Sequence, residues 1–263
     1  ARSQGQYLKK QKSNLSEDSC VILLDFAENY HYVVQDEAQG YHWNTDQCTL
    51  HPVVIYYLNN NGELGHVSLC FLSDDLEHDT SFVYELQRMT MDYLKGNHPL
   101  VKSIQYFSDG CAGQYKSYKN FLNLCYHESD FQMKATWAFF ATSHGKSPCD
   151  GIGGTVKRKV MRASLQRPVN NQILTFAAVV DYCRSSIEGI RFLVITKEEM
   201  APIRAKMEER YSLGGTVPGT RSAHYFEPCG PAKIRAKCVA EDKTFSINHS
   251  FANCHNLLQD DVI

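Results

Sequence analysis

Three aspartates stand where an element ends or begins, the positions from which side chains can act together. Asp25 closes the apolar run Cys20-Val21-Ile22-Leu23-Leu24, and Asp109 ends Ile104-Gln105-Tyr106-Phe107-Ser108. Asp150 lies in Ser143-His144-Gly145-Lys146-Ser147-Pro148-Cys149-Asp150-Gly151-Ile152-Gly153-Gly154-Thr155-Val156-Lys157-Arg158. The first two runs read as strands, and Ser147-Pro148-Cys149-Asp150 reads as a capped helix start. Carboxylates gathered from two strand ends and a helix start suit Mg²⁺ or Mn²⁺, hard cations that take oxygen ligands. Two such ions about 3.5–4 Å apart activate a water or 3′-hydroxyl and stabilise the leaving oxygen of a phosphodiester. In that arrangement Asp25 bridges the ions, Asp109 completes one site and Asp150 the other, with the three carboxylates about 4–8 Å apart. Without cations they repel, and at least one pKa rises. The plainer alternative makes each a turn or cap residue, which Asp150 fits well.

Other residues could serve the same chemistry. His144, six residues before Asp150, is a candidate catalytic group at the scissile phosphate, against a loop histidine bonded to backbone. Lys146, and Gln114 with Lys116, are candidates for holding backbone phosphates. Lys157, Arg158, Lys159 and Arg162 continue along the helix that Asp150 opens and could track a phosphate backbone, against an ordinary solvated face. Glu85 is a candidate fourth acid, though a solvated helix position is the simpler reading. Glu28, three residues after Asp25, would face the other side of a strand. Gly145-Lys146-Ser147 is not a phosphate loop, because the glycine required five residues earlier is Phe140. The cluster Gly151, Gly153 and Gly154 permits close backbone packing or close approach of DNA.

The elements that must position these groups follow from periodicity. Strands are expected at 20–26, 30–35, 49–58 and 65–72, the last two joined by the turn Asn59-Asn60-Asn61-Gly62. A helix follows from Asp79 or Thr80 to about Gly96, with Phe82, Val83, Leu86, Met89 and Tyr93 at helical spacing. Then come strand 101–108, helix 116–127, strand 133–142 and a helix over about 148–166. Several strands, then helix, strand, helix, strand, helix is the order of a ribonuclease H-like α/β fold, a mixed sheet flanked by helices. In that fold the first and fourth strands are neighbours, their carboxyl ends carry two acids, and the last helix carries the third. Residues 1–18 are expected to be an N-terminal tail or frayed helix, 19–167 the core, and 168–263 a C-terminal α+β extension packed on it. The extension should hold a helix at 170–184, a strand at 190–196 and a helix at 197–211. After the loop at 214–221 comes a tail of mixed pattern.

Bulk properties narrow the function classes. The chain has 263 residues and a net charge of −2. Residues 1–150 carry 11 basic and 18 acidic side chains, and residues 151–263 carry 16 and 11. An acidic half with metal-ligand candidates and a basic half suit an enzyme acting on a polyanion. No apolar run approaches the roughly 18 residues of a membrane span. The ten cysteines are scattered with no C-x-x-C, as expected of reduced thiols inside a cell. Cys229, Cys238, His249, Cys254 and His255 could in principle hold zinc, but their spacing matches no standard pattern.

Beyond these readings, three strings carry a family resemblance: Asp25-Phe-Ala-Glu28-Asn29-Tyr30, Phe107-Ser-Asp109-Gly-Cys-Ala-Gly-Gln114-Tyr-Lys116, and Phe139 through Arg158. They resemble transposase-derived proteins found in many copies in invertebrate genomes and in polydnaviruses. Trp43, the segment 47–57 and Pro218-Gly219-Thr220-Arg221 with His224 extend the similarity over most of the chain. The step from this family to the ribonuclease H-like transposase and integrase superfamily leans on the element order and the three aspartates, and brings the expectations of nuclear localisation, DNA as partner and a role in DNA recombination. It also raises a homodimer and a DNA-binding region upstream of this chain. The expected activity is a transposase-like DNA nuclease and strand transferase with an Asp-Asp-Asp site for two Mg²⁺ or Mn²⁺ ions. The alternatives are a domesticated, non-catalytic DNA- or protein-binding module that keeps the fold, and a structure-specific or RNA-directed nuclease.

Overall fold

The computed structural model describes residues 2–33, 46–140, 147–238 and 246–251. Helix α1 (Arg2–Ser13) precedes strands β1 (Ser19–Leu24), β2 (Tyr30–His31), β3 (Gln47–Leu58) and β4 (Leu64–Ser73). Helix α2 (Thr80–Asn97), strand β5 (Ser103–Ser108), helix α3 (Tyr118–Phe131), strand β6 (Lys134–Phe139) and helix α4 (Pro148–Leu165) follow. The remainder comprises helix α5 (Phe176–Ser186), strand β7 (Arg191–Ile195), helix α6 (Lys197–Ser212) and strands β8 (Tyr225–Gly230), β9 (Lys233–Lys237) and β10 (Ser246–Ser250).

Local chemistry sets these boundaries. In the β3–β4 hairpin the Asn59 side-chain oxygen accepts from the backbone N–H groups of Asn61 and Glu63, each at 2.9 Å. Gly62 supplies the positive φ of 73° that the turn needs. Asp79 caps α2 by accepting from the Phe82 N–H at 2.8 Å, and Ser117 caps α3 through the Asn120 N–H.

Five strands form the core sheet in the order β4-β3-β1-β5-β6, with β1, β5 and β6 parallel and β3 antiparallel to both neighbours. This is the ribonuclease H-like arrangement. The C-terminal α+β extension enlarges the same sheet at both edges. Strand β7 adds parallel to β4, while β8 adds antiparallel to β6 and leads into β9 and β10.

Successive residues of β1 point to opposite faces, and both faces are covered. Ile22 and Leu24 join Phe82 and Leu86 of α2, Phe121 of α3 and Met207 of α6. Val21 and Leu23 join Phe107, Val54 and Cys149 on the other side, where Tyr7 and Leu8 of α1 also pack. Helices α4 and α5 cover the far end of that face through Val156, Val160, Val179 and Cys183.

Some elements differ from the sequence reading. The segment expected as a tail or frayed helix is a docked helix, with the Tyr7 hydroxyl accepting from the Gln105 side chain at 2.6 Å. Strand β2 spans only two residues, and α5 begins six residues later than periodicity suggested, after a 3₁₀ turn at Val169–Asn171. Glu85 is neither solvated nor a free fourth acid. It is buried and accepts two bonds from Arg88, at 2.5 and 2.8 Å. Among the described residues no helix is long and apolar enough to cross a membrane.

Candidate active site

The parallel register Leu23↔Phe107 places Asp25 and Asp109 at matching positions, each two residues further on, at the carboxyl ends of adjacent strands. Asp25 is half-buried, and its N–H donates to the Pro52 carbonyl on β3 at 3.3 Å. Asp109 is exposed and accepts from the Cys111 N–H at 3.1 Å, an Asx turn that starts the loop into α3.

Helix α4 is brought to the same edge by two close contacts. The buried Cys149 thiol donates to the Leu23 carbonyl at 3.7 Å, two residues before Asp25. Gly153 lies so close to the chain after Asp25 that a Cβ there would stand 2.8 Å from the Ala27 Cβ and 3.6 Å from Pro52. Of the glycine cluster, Gly153 is the packing residue. Gly151 faces open space and Gly154 lies under the Arg158 guanidinium. Asp150, exposed in the first turn, accepts from the Ser147 N–H at 2.7 Å and completes a capping box.

Electrostatics link the three acids. Burial pushes Asp25 up to about 7, Asp109 and Asp150 push in the same direction, and a bond from the Phe26 N–H only partly opposes them. Among the described residues none of the three carboxylates forms an ion pair.

The floor of the site is neutral. Tyr115 is fully buried, with its hydroxyl 2.7 Å from Nε2 of His51, and burial holds His51 down at about 3. Burial first, then Asp25 and Asp109, raise the Tyr115 hydroxyl, so both acids are within electrostatic reach of it. Phe26 stacks on His78 at 4.3 Å and meets His51 edge-on at 4.2 Å. The chain immediately after Asp25 is therefore held by aromatic packing. Tyr115, His51, Cys149 and Gly153 support the site and were not picked out as a set from sequence. Tyr115 lies inside the Gly-Gln-Tyr-Lys string, but nothing in a linear string shows that it packs against His51.

The donor set fits a hard cation: three carboxylates, and in two of them the second oxygen is outside the turn or cap bond just described. The expected convergence into a ligand cluster is not met. Among the described residues no group of three His, Cys, Asp or Glu side chains is placed to hold a metal ion. Asp109 and Asp150 both raise Asp25, yet the Ser147 cap holds the Asp150 carboxylate on its own helix. The zinc candidates Cys229, Cys238 and His249 form no such group either, and Cys254 and His255 lie outside the described residues.

The other candidates divide by position. Gln114 and Lys116 are half-buried in the loop that follows Asp109. Lys157 sits 3.8 Å from the exposed Glu28 carboxylate, and Arg158 donates to the Thr155 hydroxyl at 3.3 Å. At about 100° per residue, Lys157 and Arg158 share the Asp150 side of α4, whereas Lys159 points roughly half a turn away and Arg162 lies between. The tract is thus not one basic stripe. His144 and Lys146 lie outside the described residues.

A solved structure similar to this chain is the human cytomegalovirus terminase nuclease domain, at 11% identity and a TM-score of 0.28, covering 80% of this chain and 86% of that one. None of the curated proteins matches the chain. Residues 4–240 match a family model described as a domain of unknown function, DUF8701. With the core sheet, the three aspartates and most of the extension inside that match, the chain belongs to the DUF8701 family.

Proposed function

We propose that the Asp25, Asp109 and Asp150 edge is the active site of a transposase-like DNA nuclease and strand transferase that works with two Mg²⁺ or Mn²⁺ ions. One observation carries the reading. A half-buried carboxyl at a strand end is held near 7 by burial and by two further acids, and no cation among the described residues offsets them. Unpaired acids gathered in this way are destabilising on their own and mark a functional site. Bound divalent ions would supply activation of the attacking hydroxyl and neutralisation of the leaving oxygen. Asp25 and Asp109 would hold them at the strand ends, with Asp150 turning inward from its cap. Lys157 and Arg158, on the same side of α4, would hold the DNA backbone.

A second reading is favoured by a specific observation, and the arrangement as it stands supports it better. The three acids do not form a ligand group, and Asp150 serves as a helix cap. On that reading the chain is a domesticated, non-catalytic module that keeps the fold and binds DNA or protein.

Mn²⁺ titration followed by cleavage and strand-transfer assays on DNA, in wild type and Asp109→Asn, separates the two. A two-metal enzyme loses orders of magnitude of activity in Asp109→Asn, while DNA affinity holds or rises as repulsion of phosphate is relieved. Removing the charges of Lys157, Arg158 and Arg162 weakens binding and its salt dependence. A wild type that binds DNA, takes up no Mn²⁺ at this edge and cleaves nothing establishes the binding module.

A further inference from the structure

We infer that Lys116, from the loop after β5, and His224 and Arg221, from the extension, form a subsite for a phosphate oxyanion next to Asp109. The inference rests on the nucleic-acid reading above and adds that the extension supplies part of the substrate contact.

The sheet itself carries these residues to the acidic edge. Phe140 donates its N–H to the Ser108 carbonyl at 2.9 Å, so the end of β6 lies beside Asp109. The antiparallel register Ala138↔Tyr225 places His224 beside Phe139, whose N–H donates to the His224 carbonyl at 2.8 Å. Two strand spacings, about 10 Å, therefore separate the strand of Asp109 from that of His224. Lys116 bridges that gap. Its Cδ is 3.5 Å from where a Gly110 Cβ would stand, its ammonium lies 5.5 Å from the Phe139 ring centre, and it donates to the Arg221 carbonyl at 3.4 Å.

Among the described residues no carboxylate is within ion-pair distance of this corner's Lys116 or Arg221. Lys116 is half-buried and forms no ion pair among the described residues, with that one long bond to a carbonyl. Beside it, Nδ1 of His224 is buried with no hydrogen-bond partner. Burial lowers both groups, and Lys116 lowers His224 further. Two potential cations held side by side are each disfavoured in the charged state, and an oxyanion between them reverses the sign for both. Arg221, whose carbonyl lies at this corner, has an exposed side chain. A phosphodiester flanking the one at the carboxylate edge meets this requirement.

The test measures fluorescence anisotropy of a labelled DNA duplex with the full chain in EDTA, across a range of salt concentrations. Lys116→Ala should weaken binding by about tenfold at 0.1 M salt and reduce the log–log salt slope by about 0.9, the value for one lost phosphate contact. Lys116→Arg should retain the slope, and His224→Gln should weaken binding. Arg184→Ala, an exposed charge on α5, is the control for a nonspecific loss of charge. Thermal melts check that each variant is folded, and the retained slope of Lys116→Arg distinguishes lost contact from lost structure. If wild type binds DNA and the Lys116 and His224 variants bind equally well with unchanged slope, the subsite is overturned while the DNA-directed reading stands. If inorganic phosphate binds this corner while DNA affinity is unchanged in the variants, its assignment to nucleic acid is overturned. If wild type binds no DNA at all, the functional reading falls and the subsite with it.

Discussion

Gly151 and Gly153 sit two residues apart on α4, and replacing each with alanine isolates the contact that positions Asp150. Both substitutions gain helix propensity, up to about 1 kcal/mol in a helix interior. They differ in what the new methyl meets. At Gly151 it meets nothing within 4 Å, whereas at Gly153 it stands 2.8 Å from the Ala27 Cβ. That partner is the stub of a residue on the chain just past Asp25, with no flexible end to swing aside, so the helix or the strand end must shift. Overpacking of this kind costs about 1–3 kcal/mol. Gly151→Ala should therefore be neutral to about 1 kcal/mol stabilising, and Gly153→Ala less stable than it by about 1–3 kcal/mol, which makes Gly153→Ala itself neutral to about 3 kcal/mol destabilising. Urea denaturation at constant pH reads this as a displaced midpoint with unchanged slope. On the proposed two-metal reading, Mn²⁺ titration of the same pair should find weaker uptake in Gly153→Ala alone, because the shifted helix carries Asp150 with it. Equal stability of the two variants would refute the claim that Gly153 sets the approach of α4 to the site.

Other outcomes follow from the charges and the buried bonds. Asp25 has a folded-state pKa of about 7 against an ordinary 3.8, so its contribution to stability is present below about 4 and is lost as pH rises through 7. Asp25→Asn should thus stabilise the protein more at pH 8 than at pH 5 in urea denaturation, and an equal effect at both would contradict the raised pKa. Arg204 donates to the buried Asp75 carboxylate at 2.5 Å and to Asp79 at 2.8 Å. Arg204→Ala leaves Asp75 buried and unpaired, and should cost about 3–5 kcal/mol by denaturant titration; a loss under 1 kcal/mol would show that water replaces the pair. Tyr115→Phe removes the hydroxyl bonded to His51 and should cost about 1–3 kcal/mol at constant pH, with no loss expected if the ring alone supports the site.

Much of this arrangement is legible in the chain. The run Cys20–Leu24 has no polar interruption, as a strand buried on both faces requires, and the helical spacing of Phe82, Leu86 and Met89 marks α2. Asn59 and Gly62 mark a hairpin because only certain residues make that turn. Signals of this kind are local, set by propensity, periodicity and capping, so one stretch of sequence suffices to read them. They also locate Asp25, Asp109 and Asp150, since element ends are where patterns change, and the element order points to the ribonuclease H-like sheet.

Tertiary structure decided what depends on partners far along the chain. The sequence of α1 looks like a polar tail because its only apolar side chains are Tyr7 and Leu8, with Leu15 nearby, and their value depends on Phe107 being opposite. Strand β8 contains Pro228 and Gly230, and β9 and β10 span only five residues each, so pairing of β8 with β6, β9 with β8 and β10 with β9 makes them strands. Glu85 reads as solvated until burial of its helix face forces it onto Arg88. The site divides in the same way. Sequence alone determined which carboxylates lie at the ends of elements, because that is a local property of each run. Their proximity, the neutral floor of Tyr115 and His51, the approach of α4 through Gly153, and the meeting of Lys116 with His224 were decided only by the folded sheet. Each depends on distance between residues remote in sequence, and the register of the strands sets that distance.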